Sequence, residues 1–154
     1  KVDHWSPQLA LGLSVLIPET YVPDLGVRLG LYRRLAEMTT TEELDGFAAE
    51  LVDRFGPMPD AVKNLLDVVA VKQLCRRAGI EKVEAGPKGA VISFRDGRLS
   101  RPDNLVRFIT AHARVCKLRP DQKLVYRRSL ATPAERLAGV RRFVSELAKA
   151  GVGG

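Results

Sequence analysis

Hydrophobic and polar positions follow two different periods along the first half of the chain. Aliphatic residues occupy every second position from Leu9 to Ile17, the period of a half-buried strand that Pro18 would end. Helical spacing follows over 24–38, and again from a Thr40–Glu43 capping box to about Phe55, where Gly56-Pro57 supplies the stop. Pro59 can occupy the first turn of a third helix that runs to Ala78.

The second half of the chain alternates short strands with helices. Strands are predicted over 82–85 and 90–94 about a four-residue Gly-Pro-Lys-Gly turn, and over 115–118 and 124–126. Helices are predicted from Pro102 to Ala113 and, after a Thr132-Pro133 cap, to about Gly151. The pattern predicts an α+β fold: a single domain with a small, mainly antiparallel sheet packed with about five helices.

Composition is that of one globular domain, with 154 residues, 45% hydrophobic and 28% charged. No apolar run reaches the roughly 20 residues that cross a bilayer, so we expect no membrane contact and a cytoplasmic location. The two cysteines, Cys75 and Cys116, and the two histidines, His4 and His112, are too dispersed to specify a disulfide or a zinc site. We therefore expect neither a metal nor another cofactor.

The net charge of +7 is unevenly distributed. Residues 1–60 hold 5 Lys or Arg against 10 Asp or Glu, whereas residues 61–154 hold 20 against 8. Such a chain can steer either a basic protein partner or a polyanion. One hypothesis is therefore a DNA-binding module that uses the basic C-terminal half through phosphate contacts.

Catalytic motifs are absent from the sequence. It has no phosphate-binding loop, dinucleotide fingerprint, nucleophile elbow or HExxH zinc motif. Gly86-Pro-Lys-Gly89 has the wrong spacing for a phosphate loop and joins two strands instead of opening a helix. Independent catalysis by this segment is not predicted.

The second predicted helix carries the most interpretable surface. Its apolar positions form one stripe, while Glu50, Asp53 and Arg54 project together from a neighbouring face, and Gly46 removes bulk one turn earlier. One interpretation is a solvated face with an internal Glu50–Arg54 pair. The other is a docking surface whose carboxylates receive arginines from a partner while Arg54 finds a carboxylate there. We name these three residues the Glu50 face.

Three segments of the chain resemble one known family. They are residues 17–35 (IPETYVPDLGVRLGLYRRL), 50–59 (ELVDRFGPMP) and 64–94 (NLLDVVAVKQLCRRAGIEKVEAGPKGAVISF). Together they resemble the C-terminal, or TRCF, domain of the bacterial transcription-repair coupling factor, Mfd. The likeness begins at Trp5 and is looser over 95–154.

The resemblance implies a regulatory, non-catalytic role. Because the chain begins without Met and in mid-pattern, we expect residues 1–16 to be an entry strand from the preceding part of a longer chain. The resemblance implies that 17–154 form the C-terminal regulatory domain. The parent would be an ATP-driven DNA translocase, its motor outside this segment, that displaces stalled RNA polymerase and recruits the repair protein UvrA. The domain would dock on a UvrB-like N-terminal module of the same chain and cover the UvrA-binding surface. The family's contacts fall on Glu50, Asp53 and Arg54.

Overall fold

The computed structural model describes residues 5–153. The α-helices and β-strands in this range are β1 (Gln8–Ala10), α1 (Leu25–Glu37), α2 (Thr41–Phe55), α3 (Asp60–Ala78), β2 (Ile80–Gly86), β3 (Gly89–Phe94), α4 (Pro102–Ala111), β4 (Cys116–Leu118), β5 (Leu124–Arg127) and α5 (Pro133–Lys149); a short 3-10 helix, Arg95–Gly97, follows β3. They form two compact units. The helical unit is Ser14–Gln73, and the sheet unit comprises the described residues of Lys1–Leu13 and Leu74–Gly154.

The sheet unit is built on five strands in the order β1-β2-β3-β5-β4. Only the β1–β2 pair is parallel; the other three pairs are antiparallel. Tyr126 of β5 stacks on Phe143 of α5 with ring centroids 4.0 Å apart, so α5 covers the buried face of the sheet. The predicted α+β class with a mainly antiparallel sheet and five helices is confirmed.

The β2–β3 hairpin is tighter than predicted. Gly86 pairs with Gly89 at the end of the ladder, so the turn consists of Pro87 and Lys88 alone instead of four residues. Gly89 has a φ of 141°, a backbone conformation that side-chain-bearing residues rarely adopt. Glycine is therefore required where β3 begins.

The first strand is shorter than predicted, and this part of the sequence interpretation is wrong. Strand β1 covers only Gln8–Ala10, whereas alternation predicted extended chain from Leu9 to Ile17. Gly12 has a φ of 69°, which a strand cannot accommodate, so the chain leaves the sheet before it. Residues 1–4 of the strand assigned to 1–16 lie outside the described residues.

The helical unit has its own hydrophobic core, to which α1, α2 and the first part of α3 all contribute. Helix α1 begins after Asp24, whose carboxylate accepts the Val27 N–H at 2.8 Å. The buried core residues are Ile17, Val22, Leu31, Leu35, Met38, Leu44, Phe47, Leu51, Val62 and Leu66. This core fixes which face of α2 meets solvent.

Candidate functional site

Helix α2 begins at a complete capping box. The Thr40 hydroxyl accepts the Glu43 N–H at 3.1 Å, and Glu43 Oε1 accepts the N–H groups of Thr39 and Thr40, each at 3.1 Å. These hydrogen bonds, led by that from the Thr39 N–H, lower the pKa of Glu43. The first turn predicted from the Thr40–Glu43 spacing is therefore confirmed.

The inward face of α2 fixes its rotation. Leu44, Phe47 and Leu51 are buried, as the predicted stripe requires. At the other end of the helix, the Tyr21 hydroxyl donates to the backbone oxygens of Leu51 at 3.1 Å and Gly56 at 2.7 Å. With both ends and one face held, the Glu50 face points away from the core.

Glu50 is the centre of an ion-pair triad with Arg34 and Arg54. Arg34, on α1, donates through Nη1 to Oε2 and through Nη2 to Oε1, both at 2.8 Å. Arg54, one turn along α2, donates through Nη1 to Oε2 at 2.9 Å. The Arg34 contact is bidentate, which makes it the more directional of the two. The predicted internal Glu50–Arg54 pair is confirmed, and Arg34 joins it.

Both arginines of the triad also lie over aromatic rings of α2. The Arg34 Cζ is 5.0 Å from the centroid of Phe47, and the Arg54 Cζ is 4.9 Å from that of Phe55. Such stacking favours a guanidinium over an ammonium at each position. The rings and the carboxylate thus hold the two cations in defined positions on the surface.

The triad strongly favours the ionised form of Glu50. Hydrogen bonds from Arg34, and then from Arg54, lower the pKa of Glu50 to about 2, against an ordinary value of 4.5. The hydrogen bond between Arg34 and Glu50 also raises the pKa of Arg34. The side chains of Arg34, Glu50 and Arg54 remain 45%, 34% and 44% exposed, so solvent screens their attraction and each pair contributes only modestly to stability.

The other members of the predicted face differ in what they leave available. Asp53 is exposed, and its carboxylate has no hydrogen bond or ion pair among residues 5–153. Arg54 uses one of its five N–H donors on Glu50. Nothing in the described chain lies within 4 Å of a Cβ built on Gly46, so that position is open to solvent. Glu50 is thus occupied, whereas Asp53 and most of Arg54 are accessible.

A groove of about 360 Å³ adjoins the triad between the end of α1 and the start of α2. Arg34 forms one wall and Phe47 and Met38 contribute apolar surface. Glu37, Glu42 and Glu43 also line it, so its lining is mainly acidic in charge. The groove therefore places carboxylates beside the guanidinium that contacts Glu50.

Sequence reasoning did not find Arg34. It lies 16 residues before Glu50, on another helix, so no helical or strand period links the two positions. A local signal exists only for Arg54, at i+4 from Glu50. The Arg34 contact depends on how α1 packs against α2, which requires the tertiary structure.

Lowering the pH should remove the stabilisation due to Glu50. Because its pKa is depressed in the folded state, the contribution is present above about pH 4.5 and is lost as the pH falls towards about 2. Relative to Glu50→Gln, wild type should lose an additional ~0.5–1 kcal/mol of unfolding free energy across that interval, measured by urea denaturation. Glu19→Gln, which removes an exposed glutamate outside the triad, should retain the wild-type pH profile; the same flattening in both variants would contradict the assignment.

In residues 5–153, no group of three or more His, Cys, Asp or Glu is arranged to hold a metal ion. None of the helices in that range is both long and apolar enough to span a membrane. The Glu50 face and its triad are the candidate site that the sequence and the structure both indicate.

The fold and this surface define a small α+β domain with a mainly antiparallel five-stranded sheet and an exposed, ion-paired helix face. The sequence model of the TRCF domain family matches residues 11–105, a range that includes Glu50, Asp53 and Arg54. The chain belongs to the TRCF domain family.

Similar proteins agree with this assignment. The transcription-repair-coupling factor of Rickettsia conorii is 41% identical over 124 residues, which cover 80% of this chain and 11% of that protein. That of Escherichia coli K12 is 32% identical over 140 residues, or 91% of this chain and 12% of that protein. The chain thus spans about a tenth of these relatives' length.

A solved structure supports the fold independently. The crystal structure of a C-terminal domain of transcription-repair coupling factor superposes with a TM-score of 0.78 at 21% sequence identity. The match covers 96% of this chain and 94% of that one. The α+β architecture is therefore that of this domain.

Proposed function

We propose that this chain is the autoinhibitory C-terminal domain of a bacterial transcription-repair coupling factor. In this proposal it docks on the UvrB-like N-terminal module of the same polypeptide and masks the UvrA-binding surface. The parent protein is an ATP-dependent DNA translocase that displaces stalled RNA polymerase and recruits nucleotide excision repair. Family membership and the parent proteins of the similar sequences support this assignment.

The observation that carries the docking role is the exposed Asp53 beside Arg54 on a rigid helix. Asp53 is accessible and has no partner among residues 5–153, and Arg54 retains unused donors. An anion and a cation one residue apart can pair with an arginine and a carboxylate of the partner. Glu50 positions Arg54 and adds a second carboxylate to the same face.

The exposure of the face suits a contact that has to open. Coupling of about 1–3 kcal/mol is enough to bias two states of a protein. Exposed charge pairs contribute in this range when several act together, whereas separating a fully buried pair would leave costly unpaired charges. The side chains of Glu50 and Arg54 are 34% and 44% exposed, which is consistent with a contact that can open.

The proposal is tested in the full-length factor with Glu50→Ala/Asp53→Ala. Loss of both carboxylates should weaken docking, expose the UvrA-binding surface and strengthen UvrA capture by about tenfold, with faster ATP hydrolysis. UvrA affinity measured by titration is the readout.

The matched control is Glu19→Ala/Asp45→Ala, which removes two exposed carboxylates of the same helical unit outside the Glu50 face. This variant should bind UvrA as wild type does. Unchanged UvrA affinity in Glu50→Ala/Asp53→Ala would refute the docking mechanism, and equal increases in both variants would show a nonspecific charge effect.

A further inference from the structure

Arg34 is already bound to the Glu50 carboxylate, which is part of the proposed docking surface. Its guanidinium makes two parallel hydrogen bonds to Glu50, at 2.8 Å each, and Arg54 makes a third at 2.9 Å. A carboxylate offers about four acceptor positions, so three are taken within the chain. An arginine from a partner cannot pair with Glu50 in bidentate fashion while Arg34 stays in place.

The charge balance points the same way. Two guanidinium groups surround one carboxylate in the triad, so its local charge is positive, not negative. A cationic partner is therefore repelled at Glu50 itself and attracted only at the exposed Asp53. On this basis we propose, building on the function proposed above, that Arg34 is an internal competitor for Glu50 which the partner's arginine displaces on docking.

The structure offers Arg34 a second position. Its side chain is 45% exposed, so it can reorient without crossing packed core. It already lines the groove that Glu37 and Glu42 also line, and we infer that these carboxylates receive the displaced guanidinium. Exchange of one arginine for another at Glu50 thus leaves no buried or isolated charge, and the energetic difference between the two states stays small.

Competition between Arg34 and the partner's arginine for Glu50 lowers the affinity of docking. Each docking event has to break the bidentate Arg34–Glu50 contact before the partner makes its own. Asp53, which has no internal partner in the described chain, provides the first contact. Removing Arg34 should therefore tighten docking, the opposite of what is expected if Arg34 only orients Glu50.

The test is Arg34→Gln in the full-length factor, with UvrA affinity as the readout. Tighter docking lowers the fraction of molecules that can bind UvrA, and the apparent Kd rises in proportion. We expect UvrA capture about threefold to fivefold weaker than in wild type. Arg34→Lys keeps the charge without the bidentate geometry and should fall between the two.

The matched control is Arg33→Gln, which removes an exposed arginine from the adjacent position of α1, whose guanidinium makes no hydrogen bond or ion pair within residues 5–153. It should leave UvrA capture unchanged. Thermal unfolding of the 154-residue chain should show both variants folded, with the Arg34→Gln midpoint only slightly below that of Arg33→Gln, because the ion pair that it loses is exposed and contributes less than about 1 kcal/mol. Combining Arg34→Gln with Glu50→Gln should abolish the effect of Arg34→Gln.

The outcomes separate the two proposals. If Glu50→Ala/Asp53→Ala strengthens UvrA capture but Arg34→Gln leaves it unchanged or strengthens it, the competitor role is overturned and the docking function stands. If Glu50→Ala/Asp53→Ala has no effect, both are overturned. Weaker capture in Arg34→Gln together with stronger capture in the double variant supports both.

Discussion

Replacing Gly89 with Ala is expected to lower the free energy of unfolding of the sheet unit by about 3 kcal/mol or more. Two independent causes combine at this residue. Its φ of 141° is strained for any residue with a Cβ, and a Cβ built there overlaps the backbone oxygen of Tyr126 on β5. The clash involves backbone, so β3 and β5 have to separate where Gly89 pairs with Arg127.

Gly86→Ala is the control for this prediction. Gly86 faces Gly89 across the same hairpin, yet nothing lies within 4 Å of a Cβ built on it. We expect it to change stability by less than about 1 kcal/mol. Urea unfolding followed by the fluorescence of Trp5, the chain's single tryptophan, measures both variants. Similar losses in the two would show that the β3–β5 contact is not the cause.

The helices were predictable because their ends are encoded locally. Thr40 and Thr132 accept the N–H groups of Glu43 and Glu135, each at 3.1 Å, as their capping sequences predict. Gly56 ends α2 with a φ of 92°. Capping depends on residues three or four positions apart, so a single sequence is enough to place it.

The first strand was not predictable because alternation alone does not report backbone conformation. Leu11 and Ile17 are both buried, as a one-sided strand requires, but they lie outside the sheet. Gly12, between them, takes a positive φ. A glycine permits this conformation without requiring it, and the surrounding tertiary structure decides which is adopted.

The candidate site was only partly predictable for a related reason. The Glu50–Arg54 pair follows from helical spacing, whereas Arg34 reaches Glu50 through the packing of α1 on α2. Arg34, which the sequence did not indicate, changes the charge and the hydrogen bonding at Glu50. With Arg54 alone, one oxygen of the Glu50 carboxylate would accept no side-chain hydrogen bond; with Arg34 as well, both oxygens accept and three of about four acceptor positions are taken. The docking that we propose for the Glu50 face would therefore require an exchange of partners at Glu50, which the sequence did not indicate.

Replacing Phe47 with Ala is expected to destabilise the helical unit by about 3–5 kcal/mol, since the side chain is only 1% exposed and truncation leaves a cavity in the core. The Arg34 guanidinium also lies over the Phe47 ring, 5.0 Å from its centroid. Removing the ring therefore also removes a cation–π contact that holds Arg34 in the triad. Urea denaturation followed by circular dichroism measures the change, with Val52→Ala, at a position 46% exposed on the same helix, as control. The control should shift stability by less than about 0.5 kcal/mol. Equal shifts in the two variants would show that the core beneath Arg34 does not hold α2 in place, and the rigid presentation of the Glu50 face would then have no structural basis.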